Sequence, residues 1–305
     1  MPAFPLLRRV GLLVNPTAGG GRGARLGARS EDALLAAGHE VVDLSGADVA
    51  TAESRARTAL HDGRIDVLLV VGGDGMAHLG TNLVAGTGIP LALVAAGTGN
   101  DNARELGLPL RDAEAACALV TAGRTRVVDA GRCVTADGRT RWWLGVLGGG
   151  FDSVVTERVA RMRWPRGSWR YTLAVARELP TFRPIPYAVT VDGVRIETDA
   201  MLVAVANGPS FGGGMRVAPD ARYDDGQFDV VILHRVSVAA FVRVFPRVFR
   251  GAHTTHPQVQ ILRGRHVRLE AAGIITQADG ERFEALPVDL DAVPYALRVV
   301  VPALP

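Results

Sequence analysis

The 305-residue chain is short of several features that would narrow its chemistry at once. It has two cysteines, Cys117 and Cys133. They are too few for a disulfide framework and lack a metal-ligand spacing, so both read as apolar packing residues in a reducing cytoplasm. No stretch approaches the ~20 uninterrupted apolar residues that a membrane-spanning helix needs. The opening MPAFPLLRRVGLLVNP is broken by Arg8 and Arg9 and lacks the order of a secretory signal. Opposite charges nearly cancel, at a net +3 and a pI near 9.3, which permits a phosphate-rich partner without requiring one. No internal repeat or low-complexity segment is present. These absences predict a soluble or at most peripheral protein.

An apolar fraction of 48% is ample for packed cores, and the length suits two domains. The first 125 residues alternate between two periodicities. RVGLLVN (9–15), EVVDL (40–44), IDVLLVV (65–71) and IPLALVA (89–95) are continuous apolar runs of the kind buried in a parallel sheet. Helical patterns at 24–38, 51–63 and 76–86 separate them. This rhythm predicts a doubly wound, Rossmann-like α/β domain over 1–125.

From 126 to 290 the pattern turns strand-rich, often with period-two alternation. TRVVDAGRCV, RTRWWLGVLG, YAVTVDGVRIETDAMLVAVANG, QFDVVIL and HVRLEA carry it, and Asp192-Gly193 marks a hairpin. One helical island is expected between Ser153 and Leu179. The expected fold class is therefore α/β followed by β, with a short C-terminal segment, 291–305.

Parallel α/β sheets bind ligands at the carboxyl ends of their strands. Three such ends here carry glycine-rich loops: NPTAGGGRG (15–23), GGDG (72–75) and AGTGND (96–101). Glycine allows close backbone approach, and successive N–H groups can then converge on an anion. Three such loops on one edge suggest a polyphosphate, hence a nucleotide. Gly19, Gly21 and Ala24 with Asp43 imitate a dinucleotide fingerprint, but Asn15 to Ala18 intervene between strand and first glycine. A Walker A loop is excluded, because no Gly-Lys-Ser/Thr follows.

NPTAGGG, GGDG with Asn82, and GTGNDNAR resemble the first half of the diacylglycerol kinase catalytic family, which is related to sphingosine, ceramide and NAD kinases. GVLGGGFDSVV (145–155), ANGPSFGGGMRVAPDARYDDGQFDVVIL (206–233) and ADGERFEALPVDL (278–290) continue the resemblance across nearly the whole chain. It implies an NAD kinase-like, ATP-binding α/β domain and a β-sandwich-like lipid-substrate domain, with the nucleotide in the cleft between them. It also implies that the final segment can return to the first domain.

By this resemblance Asn15, Pro16, Thr17, Ala18, Gly19, Gly20 and Gly21 would cradle ATP phosphates. Gly72, Gly73, Asp74, Gly75, Gly97, Thr98, Asn100 and Asp101 would line the nucleotide and metal site, and Ser45 would contact the nucleotide on a looser alignment. Phosphoryl transfer needs charge neutralisation, positioning and a base for the attacking hydroxyl. The resemblance gives the base role first to Glu281, with Asp279 as a Mg²⁺-water partner; a sphingosine kinase-like mechanism gives it to Asp74. ADGER is also what a plain hairpin turn uses. DDGQFD could likewise be a plain turn, whereas the family reading makes Asp225, with Asp224 and groups near Arg222 and Gln227, a structural Mg²⁺ site.

Two positions depart from the family: Met76 stands where Thr is usual, and Leu79 where Glu is usual. A lost hydroxyl removes one hydrogen bond, about 1 kcal/mol net; otherwise Met76 reads as a helix residue packing inward.

The stretch 158–177 interleaves arginine with Trp164, Trp169 and Tyr171, and VSVAAFVRVFPRVFR (236–250) sets Phe241, Phe245 and Phe249 at helical spacing beside Arg243, Arg247 and Arg250. Both suit an anionic membrane surface, or else a core helix with a solvated basic face. The leading expectation is an ATP- and Mg²⁺-dependent lipid kinase, cytoplasmic and peripheral at the inner membrane face, converting diacylglycerol to phosphatidate. Alternatives are a kinase of another hydroxylated lipid such as a sphingoid base, or a catalytically weak nucleotide- or lipid-binding regulator. A nucleic-acid partner is not expected. The oligomeric state, homodimer included, is open.

Overall fold

The computed structural model describes residues 8–135, 137–150 and 183–303. The expected helical island at 153–179 and the basic aromatic stretch at 158–177 lie outside the described residues. Two compact units organise the chain: 1–130 with 294–305, and 131–293.

In the first unit, β1 (Arg9–Val14), α1 (Ala18–Ala36), β2 (Glu40–Asp43), α2 (Val49–His61), β3 (Val67–Gly72), α3 (Asp74–Val84) and β4 (Leu91–Ala95) alternate as the periodicities require. Short α4 (Asp101–Glu105) and α5 (Ala113–Ala122) follow; the sequence reading assigned neither. β1 pairs in parallel with β2 and β3, and β3 with β4, giving the order 2-1-3-4. Every residue of β3 and β4 is buried, which explains their unbroken apolar runs. In this order the winding reverses between β1 and β3, so the ligand crevice belongs at their carboxyl ends. α2 and α5 are started by Asp48 and Asp112, whose carboxylates accept from Thr51 N and Ala115 N at 2.8 and 3.0 Å. Gly123, at φ +71°, ends α5.

The second unit is antiparallel. β5 (Thr125–Val134), which begins in the first unit, pairs with β6 (Thr140–Trp143). Then follow β7 (Val146–Gly150), β8 (Ile185–Val191), β9 (Val194–Ala206), β10 (Phe228–His234), α6 (Val238–Val248), β11 (Val259–Gly264), β12 (His266–Glu270), β13 (Ile275–Ala278), β14 (Glu281–Ala285) and β15 (Val288–Val300). The 13-residue β9 pairs with β8 along its first half and with β7 and β10 along its second. The sandwich core centres on Trp143, stacked on Phe228 with ring centroids 5.4 Å apart and edge-on to Phe283 at 5.8 Å. Asp192 and Gly193 take φ of +46° and +85°, the conformation of a two-residue hairpin. The expected strand over 139–148 is instead two strands, broken at Leu144–Gly145, and β11, β13 and β14 were not anticipated. In the first unit, Val299 near the end of β15 pairs in parallel with Leu91.

The expected fold class, parallel α/β followed by a β-sandwich-like domain, is the one observed. Both cysteines are free and buried, and burial pushes each thiol up to about 11.

Candidate functional site

The three glycine loops of the first unit touch through their backbones. A Cβ on Gly19 would lie 2.1 Å from the Ala96 carbonyl oxygen, and one on Gly97 would lie 2.5 Å from Gly73 Cα. Only hydrogen fits at either position, so the bare sequence is what lets the loop ends meet. Gly19, Gly20 and Gly21 take φ of +59°, +73° and +94°, which kinks the start of α1; the expected helix over 24–38 in fact begins at Ala18 and is regular only beyond that kink.

Side chains lock the loops in place. The Asn15 carboxamide oxygen accepts from Thr17 N at 3.1 Å and from the Thr17 hydroxyl at 2.9 Å. Asn100, at φ +55°, accepts from Gly97 N at 2.9 Å and donates to Gly97 O at 3.0 Å, closing the 97–100 loop on itself. Asp74 opens α3 and accepts from Asn102 N at 3.2 Å, tying the β3 loop to α4. Arg104 donates to Gly99 O at 2.7 Å and pairs with the buried Asp101 at 2.9 Å. Ser45 lies beside β1, its hydroxyl accepting from Val14 N at 3.2 Å. Pro16, Thr17 and Thr98 are exposed; Ala18, Gly72 and Gly75 complete the loop ends.

Two features here escaped the sequence reading. The helices that follow β1 and β3 begin at Thr17 and Gly73 without a side-chain cap, whereas α2, α5 and α6 each have one and Asp74 takes Asn102 N in the first turn of α4. Uncapped helix starts keep backbone N–H groups available to an anion. Arg22 lies across Gly19, and its buried Nε has no hydrogen-bond partner. The chain contains no lysine, so arginine is its only permanent side-chain cation. Met76 is 7% exposed and fills the space over Gly72, where a Cβ would lie 2.2 Å from its Cγ. Leu79 is partly buried. The inward-packing reading of Met76 therefore holds.

The remaining predicted residues belong to the second unit. Asp279 and Gly280, at φ +52° and +84°, form the tight turn between β13 and β14. Asp279 is buried, and its two carboxylate oxygens accept from Leu144 N at 2.9 Å and Gly145 N at 2.7 Å. Asn207 grips the same dipeptide, donating from its side chain to Leu144 O at 2.7 Å and from its backbone to Gly145 O at 2.9 Å. This double clamp breaks the strand expected over 139–148. Glu281, two residues beyond Asp279, is exposed, and its side chain makes no hydrogen bond or ion pair among the described residues.

The expected structural Mg²⁺ site is not assembled. Asp225 accepts from Gln227 N at 3.1 Å and pairs with Arg263, while Asp224 pairs with Arg222 at 3.2 Å. Arg263 also reaches Asp229 at 2.9 Å; burial pushes that carboxyl up, and Arg263 opposes the shift. Cationic arginines stand on the oxygens that a dication would need, so this donor set does not fit the metal as arranged. Among the described residues no cluster of three His, Cys, Asp or Glu side chains could hold a metal ion.

A narrow apolar cavity of about 90 Å³ opens in the second unit between α6 and the β9–β10–β11 sheet. Phe241, Val244 and Phe245 wall it on one side and Val231, Leu233 and Met215 on the other. His253 also lines it; its Nε2 faces Val217 O at 3.1 Å and therefore carries the proton, leaving the buried Nδ1 without a partner. Nothing in the sequence singled out this cavity, because its walls are ordinary apolar residues from six separate segments.

A parallel α/β unit with glycine loops at its β1/β3 switch point, followed by a β-sandwich-like unit, defines the class of fold. Residues 9–133 match the family described as diacylglycerol kinase catalytic domain, and residues 145–301 match the YegS C-terminal NAD kinase beta sandwich-like domain. A diacylglycerol kinase of Mycobacterium tuberculosis is 38% identical over 96% of this chain and 95% of its own length. One from Bacillus subtilis is 29% identical over 78% of each chain. The crystal structure of a diacylglycerol kinase from Bacillus anthracis str. Sterne shares the fold at a TM-score of 0.71, with 22% identity over 96% of this chain and 97% of that one. The chain belongs to the diacylglycerol kinase family and is a lipid kinase.

Proposed function

We propose that this kinase transfers the γ-phosphoryl group of ATP to the free hydroxyl of diacylglycerol, giving phosphatidate and ADP. The observation that carries the nucleotide half is the contact of Gly19 with Ala96 and of Gly73 with Gly97 at the β1/β3 crevice. Loops that meet there without side chains leave their backbone N–H groups and uncapped helix starts to the phosphates, with Arg22 as an added cation. Mg²⁺ would arrive with the nucleotide's phosphates rather than on a prebuilt carboxylate set. Diacylglycerol as acceptor follows the names of the relatives, and the cavity beneath α6 suits an acyl chain.

In the transfer, the hydroxyl oxygen bonds to the γ-phosphorus, the bond to the bridging oxygen of ADP breaks, and a base takes the hydroxyl proton. Glu281 fits the base role best of the three candidates, because it is exposed with no partner. Asp279 already holds two backbone N–H groups, and Asp74 holds that of Asn102. We assign Asp279 to holding the Leu144–Gly145 corner and Asp74 to joining the β3 loop to α4.

Purified protein with labelled ATP, Mg²⁺ and diacylglycerol in mixed micelles should yield labelled phosphatidate. Glu281→Gln should lower kcat by about 10²–10⁴-fold. A sphingoid base phosphorylated in preference to diacylglycerol would overturn the acceptor, and an undiminished Glu281→Gln rate would overturn the base.

A further inference from the structure

We propose that the outer face of α6 is the surface by which this protein sits on an anionic lipid bilayer. The proposal rests on the reading above, in that the acceptor lipid is met in a membrane. At 100° per residue, the cavity-lining Phe241, Val244, Phe245 and Val248 fall on one side of the helix. Val242, Arg243, Pro246, Arg247, Phe249 and Arg250 fall on the opposite arc, and all six are exposed. Val242 is 63% and Phe249 48% exposed, so two large apolar side chains project among three arginines.

Among the described residues no carboxylate answers those arginines. Residues 230–269 contain seven arginines and not one Asp or Glu, and Arg243, Arg247 and Arg250 make no ion pair with any described residue. A stabilising helix surface would carry Glu or Asp one turn from each cation. An uncompensated basic arc with protruding apolar groups matches instead a layer of anionic headgroups over acyl chains. Arginine suits the task, since its planar fork meets phosphate oxygens two at a time.

Continuity with the cavity selects a bilayer over other anionic surfaces. Phe241 stacks on Phe245 at 5.2 Å, and Phe245 meets Phe249 edge-on at 6.0 Å. This aromatic ladder runs from the buried cavity wall to the exposed face. With the outer arc on headgroups, Phe249 enters the interface and the ladder leads an acyl chain from bilayer to cavity.

The test is vesicle sedimentation of the full chain, with phosphatidylcholine vesicles and with vesicles mixing phosphatidylcholine and phosphatidylglycerol. The protein should bind the mixed vesicles, more weakly as salt rises. The Arg243→Gln/Arg247→Gln/Arg250→Gln variant should lose affinity on the order of a hundred-fold, about five-fold per arginine. Val242→Ser/Phe249→Ser should weaken binding without changing its salt dependence. Both variants should keep the wild-type Tm, and the arginine variant the wild-type rate of phosphatidate formation in detergent mixed micelles. Equal binding of the arginine variant and wild type, or of the two vesicle types, would overturn the proposal. So would a wild-type dimer that the arginine variant loses while vesicle binding is unchanged. Absence of phosphatidate in micelles would instead sink the acceptor reading and leave the vesicle result to be judged by itself.

Discussion

Gly73 and Gly97 lie so close that a single methyl group on Gly97 would be 2.5 Å from Gly73 Cα and 2.7 Å from the Asn100 carboxamide oxygen. Backbone meets backbone at the mouth of the crevice, and side chains are excluded from it by space rather than by conformation. Gly97→Ala should therefore lower stability by about 1–3 kcal/mol and raise KM for ATP, because the loops cannot close. Gly20→Ala is the control: open space surrounds it, and only its φ of +73° opposes a side chain, at about 1 kcal/mol. Thermal melts and ATP titrations of the two variants would separate crowding from strain.

The two acids of the β13–β14 turn should part company on mutation. Asp279→Asn removes a buried carboxylate that accepts two backbone N–H groups, and should cost about 1.5–3 kcal/mol of stability. Glu281→Gln should leave the urea midpoint untouched and lower kcat. A stable Asp279→Asn protein would contradict the clamp.

Arg22 should matter for nucleotide and little for folding. Its buried Nε has no partner to lose, so Arg22→Ala should keep the wild-type Tm while raising KM for ATP about ten-fold, the worth of one charge-assisted hydrogen bond. Unchanged KM would remove Arg22 from the phosphate site.

Stability should fall on acidification, in part through His253. Burial holds its imidazole below the ordinary 6.5, with the Val217 carbonyl opposing the shift. Below that pH the unfolded chain binds the proton more readily than the folded one. His253's contribution is thus complete above about pH 6.5 and is lost as the pH drops toward the folded value. His253→Leu should flatten the curve below pH 6.5 by up to about 1.4 kcal/mol per pH unit, read from urea midpoints.

Much of this protein was legible in its sequence, for a physical reason. The buried strands of a parallel sheet must be apolar throughout, so VLLVV and LALVA announce themselves, and positive-φ turns admit few residues, so Asp192-Gly193 and Asp279-Gly280 do too. Loops that must accept a backbone at contact distance are written in glycine, which made the meeting of the three loop ends readable. Residues whose role depends on a distant partner were not readable. Asp225 looks like a metal ligand until Arg263, 38 positions on, is found across its carboxylate.

By itself, then, the sequence determined the two-part fold, the glycine edge and the family, because each rests on local geometry or on motifs in order along the chain. Only the tertiary structure decided that Met76 fills the space over Gly72, that Asp279 is a clamp and Glu281 the open carboxylate, and that α6 has an apolar face on a cavity and a basic face outward. Those are facts about what each side chain meets, and a residue's neighbours in space are set by packing, not by its place in the chain.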